Sequence, residues 1–228
     1  MRSLPVLLVY TLLATCGLGL LFQSAYPFVL ASETARKSVE VSKEQLIELN
    51  GAELKSDMIA FALLSAVLCG GLASLLVKAE KVSRRIVGLG MGILLGAMVG
   101  AGVGWLGHWF EAHPSIDIQD TMLYFCLRWS IMLVPIAIAT AFLCSLIGGT
   151  TTNLLNSIIG GILGAVVASA IYAVLSGMVT TVEGRHKVLP FFLGNRILII
   201  ASSIFCIGAG IAWQLHGKKS SSIDKSML

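Results

Sequence analysis

The residues best suited to chemistry stand close together: His108, Glu111, His113, Asp117 and Asp120, with Arg128 a little further on. Imidazole nitrogen and carboxylate oxygen bind Zn²⁺ and related ions, which makes His108, Glu111, His113 and Asp117 the metal candidates. Their spacing matches no metal motif, since neither a His-Glu-x-x-His helix pattern nor a partnering pair of cysteines is present. A solvated acidic loop is the favoured reading of these residues, and His186 would have to come from a different loop to join them. No Ser-His-Asp order, phosphate loop or nucleophile motif points to a catalytic residue, and nothing calls for a cofactor. The enzyme assignment stays open, with the balance against it.

Ionisable groups deep in a membrane span are costly and mark functional sites by default, but the apolar runs of this chain hold essentially none. Arg128 and Arg196 fall near the outer ends of their runs, where long side chains snorkel to the interface. The five cysteines, Cys16, Cys69, Cys126, Cys144 and Cys206, all lie in or beside apolar runs. They read as small packing residues and not as a disulfide framework.

The elements that must position these groups are membrane helices. Hydrophobic residues make up 56% and charged residues 12% of the 228 residues, with a mean hydropathy of +0.88, whereas soluble domains carry about 25% charged residues. The fold class expected is all-α: a polytopic integral membrane bundle of about six transmembrane helices, in one domain. A net charge of +4 reflects short basic clusters beside apolar runs, which is an orientation signal and not a nucleic-acid surface.

The organising stretch is Gly88 to Gly104, in which Gly88, Gly92, Gly96, Gly100 and Gly104 recur at every fourth position. Each glycine costs a soluble helix about 1 kcal/mol against alanine. In a bilayer the same residues let a neighbouring helix approach closely, as in the GxxxG motif. The row is therefore read as a packing seam, a glycine zipper. Gly160, Gly164 and Ala168 form a second, shorter seam, and the third and fifth spans are expected to pack together along the two. Contact between subunits is the alternative. Glycine-zipper spans occur in many unrelated membrane proteins and are not a family signature.

The spans run at about 4–22, 58–77, 86–110, 129–147, 154–178 and 197–215. The first is read as a retained anchor, because an apolar core of 19 residues exceeds the 7–15 of a cleaved signal peptide. Segment 23–57 is polar, and within it Ser42-Lys-Glu-Gln45 has capping-box spacing. It predicts a short amphipathic helix that stops at Asn50-Gly51. Lys78, Lys81, Arg84 and Arg85 mark a cytoplasmic turn, the 111–120 loop is acidic and belongs outside, and the tail 216–228 is basic. Both termini are then cytoplasmic, and a bacterial inner membrane fits the compact loops. Gly70-Gly71 and Pro135 are the points at which a helix would break, and hence the hinge or substrate positions of a transporter.

A faint repeat links Ala66-Val-Leu-Cys69, Ala141-Phe-Leu-Cys144 and Ser203-Ile-Phe-Cys206 on the even-numbered spans. It would correspond to three helical hairpins, although chance similarity within a small apolar alphabet is the favoured explanation. Packing motifs outweigh chemical ones, so the first functional expectation is a structural or assembly subunit that contacts the lipid bilayer and other membrane helices, of its own kind or another. A small transporter or channel comes second. A membrane enzyme using the His108 to Asp120 edge comes last.

Overall fold

The computed structural model describes residues 3–37, 42–76, 82–112, 122–148, 154–179 and 193–217. Among the described residues the elements are all helical: α1 (Ser3–Ala25), α2 (Glu33–Lys37), α3 (Lys43–Leu76), α4 (Val82–Ala112), α5 (Met122–Gly148), α6 (Leu154–Val179) and α7 (Leu193–Gly217). Six of these, all but α2, are long and apolar enough to cross a membrane. The chain is a multi-pass membrane protein built as a helical bundle, an architecture in which every span satisfies its own backbone.

Three helices form the inside of the bundle. α3, α5 and α7 touch one another, while α1 lies against α7 and α3, α4 against α3 and α5, and α6 against α5 and α7. Burial is greatest in α3 and α5, where 61% and 56% of the apolar window is buried, intermediate at 44% in α6 and α7, and least at 28% in α1 and α4. Leu68, Leu72, Met132, Leu133, Ile136, Ile204 and Ile207 fill the centre with no exposed surface. Outward-facing Leu12, Leu94, Met98 and Leu163 are the lipid side of the outer helices.

The helix expected to stop at Asn50-Gly51 does not stop there. The capping box forms as its spacing predicts, with the Ser42 N–H donating to Gln45 Oε1 at 2.9 Å and the Gln45 N–H donating to Ser42 Oγ at 3.3 Å. The helix then continues through Asn50-Gly51 to Leu76. Ala52-Glu53-Leu54-Lys55 are good helix formers, and the turn beyond them is held from outside, since the Val29 N–H donates to Ser56 Oγ at 3.0 Å. At 34 residues, α3 is roughly 51 Å long, well over the roughly 30 Å of a hydrocarbon core. Its polar N-terminal part, α2 and the 26–32 strap form a small head at one end of the bundle. α3 also runs unbroken through Gly70-Gly71, and α5 through Pro135.

The glycine row of α4 meets α3. A Cβ on Gly92 would lie 2.6 Å from Gly70 Cα, one on Gly96 2.5 Å from the Ser65 carbonyl oxygen, and one on Gly104 2.7 Å from the Asp57 carbonyl oxygen; at Gly100 it would run into the Phe61 carbonyl. Gly88 faces only the flexible end of Ile147, and Gly90 and Gly102 face open space. In α6, a Cβ on Gly160 or Gly164 would collide with the carbonyl of Gly210 or Cys206 of α7, and Ala168 is fully buried. The expected contact between the third and fifth spans is therefore corrected to contacts of each with a neighbour in sequence. The reason is complementarity: Ser65, Ala66 and Gly70 on α3, and Gly210 on α7, bring their backbone up to positions where the glycines carry no side chain.

Candidate functional site at the head of the bundle

Asp57 decides the location. It follows the 42–45 cap by three turns on α3, and its spacing of four from Phe61, Ser65 and Cys69 puts it on the line of α3 that faces the other helices. It is 1% exposed. The Tyr26 hydroxyl, from the strap after α1, donates to Asp57 Oδ1 at 2.8 Å. Burial, then the neighbouring Asp57 carboxylate, hold the Tyr26 phenol well above its usual pKa, so it stays protonated as the donor.

α4 supplies the other half. His108 and Glu111 are three residues apart and share one helix face. With Gly104 packed on the Asp57 backbone, the next turn of α4 brings His108 Nδ1 to 3.7 Å from Asp57 Oδ2. That nitrogen is buried and makes no hydrogen bond. One ligand atom each from Asp57, His108 and Glu111 lies within 4.8 Å of the other two. His108 and Glu111 are half-buried while Asp57 is enclosed, so the group is more open on the α4 side than on the α3 side.

Two arginines frame the group. The Arg128 guanidinium of α5 donates through Nη2 to the Gly107 carbonyl at 3.3 Å, in the electrostatic field of Glu111 and Asp57. Arg196 of α7 donates through Nη1 to the Phe22 carbonyl at 2.8 Å and lies 4.8 Å from the centroid of the Tyr26 ring. The snorkelling expected of both is corrected, because each is 6% exposed with its charge on a neighbouring helix's backbone. A cation there suits the C-terminal end of α1, where the Phe22 carbonyl also accepts the Tyr26 N–H at 3.3 Å. Beside the strap lies a cleft of about 310 Å³ bounded by Tyr26, Leu30, Arg36, Leu49, Glu53 and Arg196.

No family model matches this chain, and neither does any curated protein or solved structure. Function must be read from the residues themselves.

Of the expected metal candidates, His108 and Glu111 are brought together, whereas His113, Asp117 and Asp120, like His186, lie outside the described residues. Asp57 was missed because an acid just before an apolar run reads as the last residue of the polar segment. Its four-residue spacing from Phe61, Ser65 and Cys69 was the available signal. The possible hinge positions lie elsewhere: Gly70 is 13 residues along α3 from Asp57, a rise of about 20 Å. Gly70 packs on Leu89 and Ile93, and Gly71 on the Tyr10 ring. Pro135 is half-buried within α5. Among the described residues a polar cluster deep in the core joins Cys69 to Ser65 and Thr140, with Cys69 Sγ and Thr140 Oγ1 3.0 Å apart. Thr140 in turn donates to the Ile136 carbonyl at 2.7 Å. All five cysteines are free thiols.

Proposed function

We infer that this chain is a structural or assembly component of a membrane complex: a rigid bundle that presents a small head to partners at one membrane face. The observation that carries the reading is the closed centre, in which the inner faces of α3, α5 and α7 meet over fully buried Leu68, Met132, Ile136, Ile204 and Ile207. The glycine rows, read as GxxxG seams, hold the chain's own helices together and supply the stiffness. Contact with partners then falls to the head, where Leu30, Leu46 and Ile47 are exposed beyond the apolar part of α3. An exposed apolar patch outside the membrane is the kind of surface that takes a partner.

The basic 78–85 turn and tail support cytoplasmic ends for the bundle and an outward-facing head, with a bacterial inner membrane as the setting. A small transporter or channel with a site at Gly70, Gly71 or Pro135 draws less support, because the helices continue through all three positions.

Isolation from native membranes in mild detergent, followed by native mass determination, tests the reading. A stoichiometric foreign partner that is lost on Leu46→Asp/Ile47→Asp, with the bundle still folded, is the expected result. A monomer or a pure homo-oligomer overturns it.

A further inference from the structure

Three donors, from Asp57, His108 and Glu111, converge at the α3–α4 end. His108 Nδ1 and Asp57 Oδ2 are 3.7 Å apart, too far for a hydrogen bond. That gap is close to the spacing of two ligands on one metal, about 3.4 Å for tetrahedral bonds of about 2.1 Å. Glu111 completes a set whose ligand atoms lie within 4.8 Å of one another. We propose that Asp57, His108 and Glu111 form a binding site for one divalent transition-metal ion, of which Zn²⁺ is the representative, with a fourth position open to water on the side of the half-buried His108 and Glu111.

The surroundings suit a cation. Asp57 and Glu111 bring two carboxylates to the group, and the Arg128 guanidinium that stands in their field also donates to the Gly107 carbonyl. The Tyr26 hydroxyl occupies Asp57 Oδ1 and leaves Oδ2 turned toward His108, the arrangement by which outer partners orient metal ligands. One imidazole nitrogen with two carboxylate oxygens favours Zn²⁺ or a neighbouring first-row ion over Ca²⁺ and Mg²⁺, which prefer all-oxygen sites. The buried cysteines belong to the bundle core and contribute no donor to the set. The site does not depend on the assembly reading and can fail separately from it.

The full chain, purified in detergent and stripped with a chelator, would be titrated with Zn²⁺ against a chromophoric competitor, with bound metal counted by elemental analysis. The expected result is about one Zn²⁺ per chain with an X-ray absorption spectrum of nitrogen and oxygen donors only. Affinity should fall at least about 10-fold in His108→Ala and in Glu111→Gln, and by about 10-fold in Tyr26→Phe, an outer partner of the ligand set. Asp57 is too enclosed to serve as the test variant, so folding of the others is checked by gel filtration and helical circular dichroism. Wild type that retains no stoichiometric Zn²⁺, a spectrum containing sulfur, or folded His108→Ala and Glu111→Gln variants that bind as wild type would each overturn the proposal.

Discussion

Alanine placed at two glycines of α4, Gly96 and Gly102, should move stability in opposite directions. At Gly96 the new Cβ would sit 2.5 Å from the Ser65 carbonyl oxygen and 2.8 Å from Ala66 Cα. Both are backbone atoms, which no rotamer change can withdraw. Restoring an ordinary contact of 3.4 Å requires α3 and α4 to part locally by about 0.9 Å. A gap of 0.5–1 Å forfeits roughly a quarter to a half of each dispersion contact across the seam, and overpacking of this kind costs about 1–3 kcal/mol. At Gly102 nothing lies within 4 Å of the added carbon, so only the backbone gain of up to about 1 kcal/mol remains. The two variants should differ by about 2–4 kcal/mol. Unfolding in mixed micelles of rising denaturing-detergent content, followed by helical circular dichroism, measures both on one scale. Should Gly96→Ala prove as stable as Gly102→Ala, the close approach of α4 to α3 is not what the glycines provide.

The Tyr26–Asp57 bond has a pH signature. Because burial and the carboxylate raise the folded-state phenol above its ordinary 10.0, the stabilisation it reflects is complete below pH 10 and is lost as pH rises past that value, where the unfolded phenol ionises first. Ultraviolet titration should show one fewer ionisation-resistant tyrosine in folded Tyr26→Phe than in the folded wild type; identical titration curves for the two would contradict it. Ser42→Ala removes the acceptor for the Gln45 N–H and should cost about 1 kcal/mol. Faster amide exchange in the first turn of α3 with unchanged exchange in its apolar half is the expected pattern, and no change anywhere would remove the cap from the account.

Six apolar helices were legible because hydropathy acts locally: each run is long enough to cross by its own composition, whatever its neighbours. The capping box was legible for the same reason, since Ser42 and Gln45 satisfy each other within one turn. What a glycine row packs against is a property of two helices, and only the α4 half of that pair is visible in Gly88 to Gly104. Its counterpart is the unremarkable series Asp57, Phe61, Ser65 and Gly70, which carries no motif. Asn50-Gly51 misled because a stop signal is weak compared with a strap bonded to the next turn at Ser56. The candidate site was half legible. His108 and Glu111 stand out by type and spacing, but Asp57 is 51 residues from His108 and joins it only through the antiparallel pairing of α3 with α4. Arg128 and Arg196 were assigned to the water side on depth alone, whereas the carbonyls of Gly107 and Phe22 offer nearer partners.

The seam and the site are mechanically one structure. Gly104 rests on the Asp57 carbonyl and on Met58 Cα, each 2.7 Å from where a Cβ would stand, and His108 is one turn further along the same helix. The close approach that glycine permits is what carries the imidazole to within 3.7 Å of the carboxylate. A side chain at Gly104 would lift α4 away at that level and widen the gap between the two donors. The three inner helices meet the same end of the bundle with one buried ionic group each, Asp57 on α3, Arg128 on α5 and Arg196 on α7. Each group is held by a neighbouring segment: Asp57 by the Tyr26 strap, Arg128 by the Gly107 carbonyl of α4, and Arg196 by the Phe22 carbonyl of α1. Buried charges held in this way are costly to separate from their partners, so they pin the strap, α1 and α4 to the inner trio at the head. The glycine rows fix the separation of the helix pairs along their length. The position of His108 against Asp57 therefore depends on both sets of contacts at once.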